Sequence, residues 1–305
     1  GAGAGLAAAG VPAAARVPKR RPHVLREGTA RALFGTAAAL SIAAVALICL
    51  FLLANGVPAM AEIGLPEFLF GTTWRPVNDL YGIFPMIVGS LYVTAGAMIV
   101  GVPGGLLTAL YFSRFARGRT GSFLRSGVEL LAGIPSVVYG FFGLVIIVPF
   151  VRLLGPGTGL SVLAASLILG IMILPTVITV AQSALDAVPA RYYEGALALG
   201  VDHEHAVFKV VAPAAASGIM AAIVLGLGRA IGETMAVVMV AGNMPIIPDS
   251  LLSGVRTMTA NIVLEMGYAA DLHREALIAT GVVLFVFILL ITMLLNVIRK
   301  RGEAR

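Results

Sequence analysis

The chain alternates long apolar blocks with short polar segments, and six of the blocks are long enough to cross a membrane. A bilayer core of roughly 30 Å requires about 20 apolar residues in a helix that rises about 1.5 Å per residue. We therefore predict an all-α, polytopic integral membrane protein with six transmembrane helices. The predicted spans cover residues 32–54, 83–112, 128–151, 161–181, 214–241 and 276–298.

Several spans contain proline, which would end a helix in water because it lacks the backbone N–H and its ring clashes with the preceding turn. Membrane helices in a bundle tolerate such breaks where neighbouring groups satisfy the freed backbone. We expect Pro135 and Pro175 to mark helix breaks within the third and fourth spans. In the fifth span, small residues recur every four positions at 218, 222 and 226 and again at 228, 232 and 236. This spacing predicts close helix packing on two faces.

The spans divide the rest of the chain into tails and loops. The predicted segments are a disordered basic tail over 1–31, the first helix over 32–54, an extracytoplasmic loop over 55–82, a core of five helices over 83–298 and a second tail over 299–305. The first apolar block follows basic residues and precedes Ala59-Met60-Ala61, as a signal peptide would. It is longer than the about 7–15 apolar residues of a signal peptide, so an uncleaved anchor helix is favoured.

Composition and charge placement agree with a membrane protein. Hydrophobic residues make up 59% of the chain and charged residues 12%, against about 25% charged in soluble domains, which excludes an ordinary soluble enzyme. Sixteen of the 21 Lys and Arg residues lie in the two tails and in the loops after the second and fourth spans. By the positive-inside rule both termini are cytoplasmic. The excess of basic residues is therefore explained by membrane topology, and it does not require a nucleic-acid partner.

The loop over residues 182–213 is the longest on the predicted cytoplasmic side and carries both signs of charge. Pro189 opens a segment with helical spacing, Gly200 ends it, and a second helical turn precedes Pro213. Such proline and glycine positions are typical of helix starts and stops. Two short helices about a glycine would present a compact knob to the cytoplasm. A solvated amphipathic connector is the alternative interpretation.

This loop resembles the EAA signature of ABC importer permeases, in which E-A-A is followed by three residues, G, nine residues and I-x-L-P. It departs from the signature at Gly195 and Ala212, where the family usually has Ala and Leu. The resemblance implies that the loop forms a coupling helix that docks on a cytoplasmic ATPase subunit. The residues it assigns to coupling are Arg191, Glu194, Gly195, Ala196, Gly200 and Pro213.

The resemblance also implies that this chain is a transport subunit and not an enzyme. The sequence contains no G-x-x-x-x-G-K-[ST] phosphate loop, the backbone cradle that a nucleotide requires. ATP and Mg²⁺ would then be bound by the partner ATPase, and this chain needs no cofactor of its own. The four histidines and Cys49 have no metal-type spacing, so no metal site is predicted.

The fifth span contains two charges, Arg229 and Glu233, followed by Thr234. The two charges are four residues apart, so a continuous helix would place them on one face. A charge at mid-membrane costs roughly 2.5–3.5 kcal/mol, so both need a partner or a polar cavity. One interpretation is a structural ion pair. The other is that Arg229 lines an anion route, because a guanidinium stays charged and its planar fork suits phosphate-type oxygens, while Glu233 competes for it.

Residues 130–140, 229–237 and 242–243 resemble the PstC family of phosphate ABC transporter permeases, and residues 82–85 and 171–176 extend the match. The resemblance implies a bacterial inner-membrane phosphate importer that works by alternating access. Its other parts would be a second permease similar to PstA, a dimeric ATPase similar to PstB and an extracytoplasmic phosphate-binding protein. The outer loops over 55–82 and 244–273 would receive that protein.

Three alternatives stay open from the sequence. A permease for another oxyanion, sulfate or molybdate, would keep the coupling loop. A secondary transporter driven by ions would also have broken helices and a buried Arg/Glu pair but would work without an ATPase. A membrane enzyme is disfavoured because no cluster of His, Asp or Cys residues is apparent.

Overall fold

The computed structural model describes residues 24–116 and 118–303, and most of this chain is helical. Contacts divide it into two compact units, one ending at Leu50 and one beginning at Phe51. The longer helices are α1 (Val24–Ile63), α3 (Phe84–Leu110), α4 (Gly118–Gly133), α7 (Val162–Asp186), α11 (Ala216–Gly232) and α14 (Asp271–Glu303). The shorter helices are α2 (Leu65–Phe70), α5 (Ser136–Phe142), α6 (Val148–Arg152), α8 (Ala190–Ala198), α9 (His203–Ala206), α10 (Ala212–Ala214), α12 (Met235–Val240) and α13 (Met258–Glu265). Three π-helical turns, Tyr111–Phe115, Gly143–Ile147 and Val207–Val211, continue α3, α5 and α9.

Up to six membrane crossings are present among the described residues. Four helices are long and apolar enough to cross a membrane, namely α1, α3 with its π-helical turn, α7 and α14. Two bent helix pairs bring the number to six if each pair counts as one span. The first pair, Gly118–Gly133 with Ser136–Arg152, bends by 101°, and the second, His203–Ala214 with Ala216–Gly232, bends by 71°. The predicted all-α, six-span architecture is confirmed on this count.

Helix α1 is longer than the predicted span over 32–54. It begins at Val24, so residues 24–31, which we expected in the disordered tail, are helical, and the rest of that tail lies outside the described residues. It ends at Ile63 and runs through Ala59-Met60-Ala61 without a break. The cleavage-site resemblance of that tripeptide therefore falls inside a helix, with Ala59 and Met60 buried in the second unit.

The two prolines predicted to break helices behave differently. Pro135 lies between α4 and α5 in an extended conformation, at the 101° bend, so residues 128–151 do not form one straight span. Pro175 lies inside α7, which continues through it to Asp186, contrary to our expectation of a break. Two-thirds of the most apolar part of α7 is buried. Proline removes one backbone hydrogen bond, but packing against the neighbouring helices keeps α7 continuous.

Glycines allow α3, α7 and α11 to approach each other closely. A Cβ built on Gly105 of α3 would lie 2.7 Å from the Val177 side chain of α7, and one built on Gly226 of α11 would lie 2.8 Å from the same side chain. The first predicted glycine series therefore does pack against a neighbouring helix. A Cβ on Gly228 or Gly232 would meet nothing within 4 Å, so these two members of the second series face open space, whereas Ala236 is buried against Gly140 of α5.

The predicted outer loops contain helices and a hairpin that were not predicted from the sequence. Residues 55–82 include α2 and a two-stranded antiparallel hairpin, β1 (Trp74–Arg75) with β2 (Leu80–Tyr81), in which Trp74 pairs with Tyr81. Asp79 has a left-handed backbone (φ 55°) and closes the turn. In the other loop, α13 begins after Thr257, whose hydroxyl accepts from the Ala260 N–H and caps the helix.

Candidate functional site

The fifth predicted span is interrupted next to its charged residues. Helix α11 ends at Gly232, Glu233 has an extended backbone (φ −72°, ψ 134°), and α12 begins at Met235. The Glu233 carboxylate accepts from the Ala236 N–H at 3.2 Å. The first backbone N–H groups of a helix have no partner within the helix, and its N-terminus favours negative charge. Glu233 is therefore used as a cap for α12.

Arg229 and Glu233 consequently do not lie on one helix face as the spacing predicted. No salt bridge joins Arg229 to a carboxylate within the part of the chain that the structure describes. The reason is that the helix ends between the two residues, so the i, i+4 relation no longer applies. A structural ion pair between them is not the geometry found here.

The Arg229 guanidinium, which is partly buried, is held by a neutral partner. Its Nη1 donates to the Thr176 hydroxyl of α7 at 3.0 Å. This hydrogen bond uses one of the five N–H donors of a guanidinium. On the same helix, a Cβ built on Gly228 or Gly232 would meet nothing within 4 Å in the described chain.

Thr234 and Thr259 belong to the same break. The Thr234 hydroxyl donates to the Gly232 carbonyl at 3.4 Å, a local contact that does not reach the guanidinium. The Thr259 hydroxyl of α13 donates to the Glu233 carbonyl at 3.1 Å. Neither Thr259 nor Thr176 was predicted as a site residue, because both contact this segment from distant parts of the chain. The signals available for Thr176 were its position directly after Pro175 in an apolar helix and its place in the 171–176 segment that resembles the family.

The second predicted functional region is the loop over residues 182–213. Helix α8 follows Pro189, and Gly200 has φ +83°, a left-handed conformation that glycine adopts without steric cost. Helix α9 begins after Asp202, whose carboxylate accepts from the His205 N–H at 2.9 Å. That backbone hydrogen bond, together with one from the His205 ring, holds the pKa of Asp202 below its ordinary value.

Side chains fix this loop to the end of the second span. The Tyr193 hydroxyl and His203 Nδ1 are 2.7 Å apart. The Phe115 ring lies 4.7 Å from the His203 ring, and the Arg114 guanidinium lies 5.9 Å from the Tyr193 ring. The two short helices therefore form a packed knob whose position depends on the helices beside it.

The knob presents both charged and apolar groups. Arg191, Glu194 and Gly195 are exposed, as is Pro213 at the start of α10, whereas Ala196 is buried with 8% of its surface exposed. Leu199, at the end of α8, is 86% exposed. Exposed apolar residues on an ordered knob with a polar rim are typical of a protein docking surface.

No set of side chains in the described ranges is arranged to hold a metal ion. Groups of three or more His, Cys, Asp or Glu side chains at metal-binding distances do not occur among residues 24–116 and 118–303. The polar side chains at and beside the helix break include Arg229, Thr176, Glu233 and Thr234.

Comparisons with known proteins place these features in a family. A family model described as "binding-protein-dependent transport system inner membrane component" matches residues 101–303. A probable ABC transporter permease protein of Bacillus subtilis, YqgH, is 35% identical over 294 residues, which is 94% of this chain and 95% of that protein. A phosphate transport system permease protein, PstC of Mesorhizobium japonicum, is 33% identical over 279 residues, which is 85% of each chain.

Solved structures show the same fold. The chain resembles a structure of the MetNI methionine ABC transporter in an inward-facing conformation, with a TM-score of 0.55 and 21% identity. The match covers 75% of this chain and 99% of that one. At this identity the likeness concerns the fold alone.

Proposed function

The chain belongs to the family of binding-protein-dependent transport system inner membrane components, and on that premise we propose that it carries inorganic phosphate. It is a membrane-embedded ABC importer permease, a transport component rather than an enzyme. Two observations support phosphate as the cargo. Relatives named as phosphate permeases are about one third identical over most of the chain. The Arg229 guanidinium, one turn before the helix break, has a neutral hydrogen-bond partner and no carboxylate partner in the described chain.

The mechanism we propose is alternating access with Arg229 as a transient anion partner. Phosphate oxygens accept hydrogen bonds from the free N–H groups of Arg229, whose planar fork fits two oxygens at once. Glu233, engaged by α12, does not compete for the guanidinium in the present geometry. Thr234 lies at the same break and lines the route. No bond of the phosphate is broken, so the anion leaves unchanged.

Energy for the cycle comes, in this proposal, from ATP bound with Mg²⁺ on a partner ATPase dimer similar to PstB. That dimer docks on the knob formed by α8 and α9, where Arg191, Glu194 and Leu199 are exposed. A second permease similar to PstA completes the route, and an extracytoplasmic phosphate-binding protein delivers the anion. The complex lies in a bacterial inner membrane, with both termini of this chain in the cytoplasm.

Two measurements test the proposal. Purification of the tagged chain from membranes should recover an ATPase and a second permease, which a secondary transporter would not. In vesicles reconstituted with this complex and its binding protein, uptake of radiolabelled phosphate should require internal ATP and withstand excess sulfate or molybdate. Uptake that those anions suppress would identify a different oxyanion as the cargo. Uptake that needs no ATP would reject the coupling to an ATPase.

A further inference from the structure

Helix α13 carries a buried carboxylate at its C-terminal end. The Glu265 side chain is 8% exposed and accepts three hydrogen bonds. Its donors are the Trp74 indole (2.8 Å), Arg256 Nη1 (2.6 Å) and His273 Nε2 (2.9 Å). These donors come from the hairpin, from the segment before α13 and from the start of α14. A buried carboxylate that loses a partner keeps its desolvation cost, so this network anchors α13 firmly.

Arg256 extends the anchor toward α12. Its Nε donates to the carbonyl of Asn243, which follows α12, and its Nη1 also donates to Asn261 Oδ1. Asn261 is fully buried, yet its Nδ2 has no hydrogen-bond partner among the described residues, and neither does Asn243 Oδ1. One donor and one acceptor are therefore unused on these two asparagine partners of Arg256.

The N-terminal end of α13 reaches the helix break. The Met258 N–H is held by the Ser90 hydroxyl of α3 at 3.0 Å. The Thr259 hydroxyl is 3.1 Å from the Thr257 hydroxyl and donates to the Glu233 carbonyl. A hydroxyl has a single hydrogen, so Thr257 must donate to Thr259, which in turn donates to Glu233. This directional chain joins the cap of α13 to the extended residue between α11 and α12.

We propose that Thr259 is a positioning residue for the anion site and that α13 transmits movement of the outer hairpin to the break beside Arg229. The inference rests on the proposed function. Six residues of helix, about 9 Å at 1.5 Å per residue, separate Thr259 from Glu265, so a shift of the anchored end displaces the Glu233 carbonyl. Trp74 and His273 belong to the two outer loops predicted to receive the binding protein, and both side chains are largely buried there. Docking there would alter the break through α13.

The experiment uses the purified complex and compares single and double variants. Thr259→Val removes the hydroxyl, and Trp74→Phe removes one donor to Glu265 while keeping an aromatic ring. Thr280→Val is the matched control, since Thr280 is also buried and its hydroxyl donates within α14 to the Ala276 carbonyl. Thr259→Ser restores the hydroxyl and should restore wild-type behaviour.

Hydrogen exchange of the backbone amides at residues 233–238 is the readout that does not depend on cargo. We expect Thr259→Val and Trp74→Phe each to speed exchange there by about tenfold, the factor for about 1.4 kcal/mol, and Thr280→Val to leave it unchanged. The double variant should exchange no faster than the faster single variant, because both changes act through one helix. Substitutions at two residues that share no partner have additive effects on the free energy of opening. Additive effects in the double variant, or a wild-type exchange rate in Trp74→Phe, would therefore overturn the inference.

Phosphate uptake per ATP hydrolysed is measured on the same preparations. It should fall in Thr259→Val and recover in Thr259→Ser, while complex assembly stays intact. A wild-type complex that takes up no phosphate would reject the proposed function and leave the exchange result standing. If the wild-type complex takes up phosphate normally but the two substitutions have additive effects on exchange, only the role of α13 is rejected and the proposed function stands.

Discussion

Replacing Arg229 by glutamine should abolish phosphate uptake while leaving the complex assembled. The glutamine keeps a hydrogen-bond donor for Thr176 but removes the charge and the planar fork. If the fork donates two charge-assisted bonds to phosphate, each worth about 1.5 kcal/mol, the loss is about 3 kcal/mol, or roughly 150-fold in the rate of transport. The assay is uptake of radiolabelled phosphate into vesicles that contain the complex, the binding protein and internal ATP.

Stability should change little in this variant. The bond from the charged guanidinium to Thr176 contributes about 1.5–3 kcal/mol. A neutral bond from the glutamine is weaker, but this weakening is opposed by removal of a charge that costs about 2.5–3.5 kcal/mol inside a membrane span. Arg119→Gln, an exposed position on α4, serves as the matched control. Wild-type uptake by Arg229→Gln would refute the assignment of the route, and failure of the complex to assemble would favour a structural role for the guanidinium.

Three further predictions concern the knob and the glycines. Glu194→Lys combined with Gly200→Pro should lower recovery of the ATPase in a pull-down, since proline cannot adopt φ +83°; undiminished recovery would argue against docking there. Gly232→Leu should reduce phosphate uptake without lowering thermal stability, because a side chain there meets nothing within 4 Å. Gly226→Leu would clash with Val177 and should destabilise the chain by about 1–3 kcal/mol. Normal uptake by Gly232→Leu would show that the open side of the helix at Gly232 is not part of the anion route. Gly195→Ala should stabilise α8 by about 1 kcal/mol or less and preserve uptake, and a drop in melting temperature would contradict the open environment found at that glycine.

The helix break shows why local spacing was insufficient. Arg229 and Glu233 have the i, i+4 spacing of an ion pair, and nothing in their own segment says that the helix ends at Gly232. What holds Glu233 extended is an N–H of the following helix and a hydroxyl from α13, 26 residues later. Pro175 shows the converse case, because α7 stays helical through a residue that would end a helix in water. Tertiary packing of α7 keeps the helix continuous there.

Sequence alone determined the features that depend on few neighbours. The presence of apolar helices long enough to cross a membrane and the Pro189 and Gly200 boundaries of the knob follow from local backbone chemistry and from the cost of burying polar groups in lipid. Tertiary structure alone decided which polar groups meet. Trp74 and Glu265 are 191 residues apart, yet they share a hydrogen bond. Thr176 reaches Arg229 from another helix. Such pairings are set by the packing of helices that the chain brings together from a distance, and no window of sequence contains both partners.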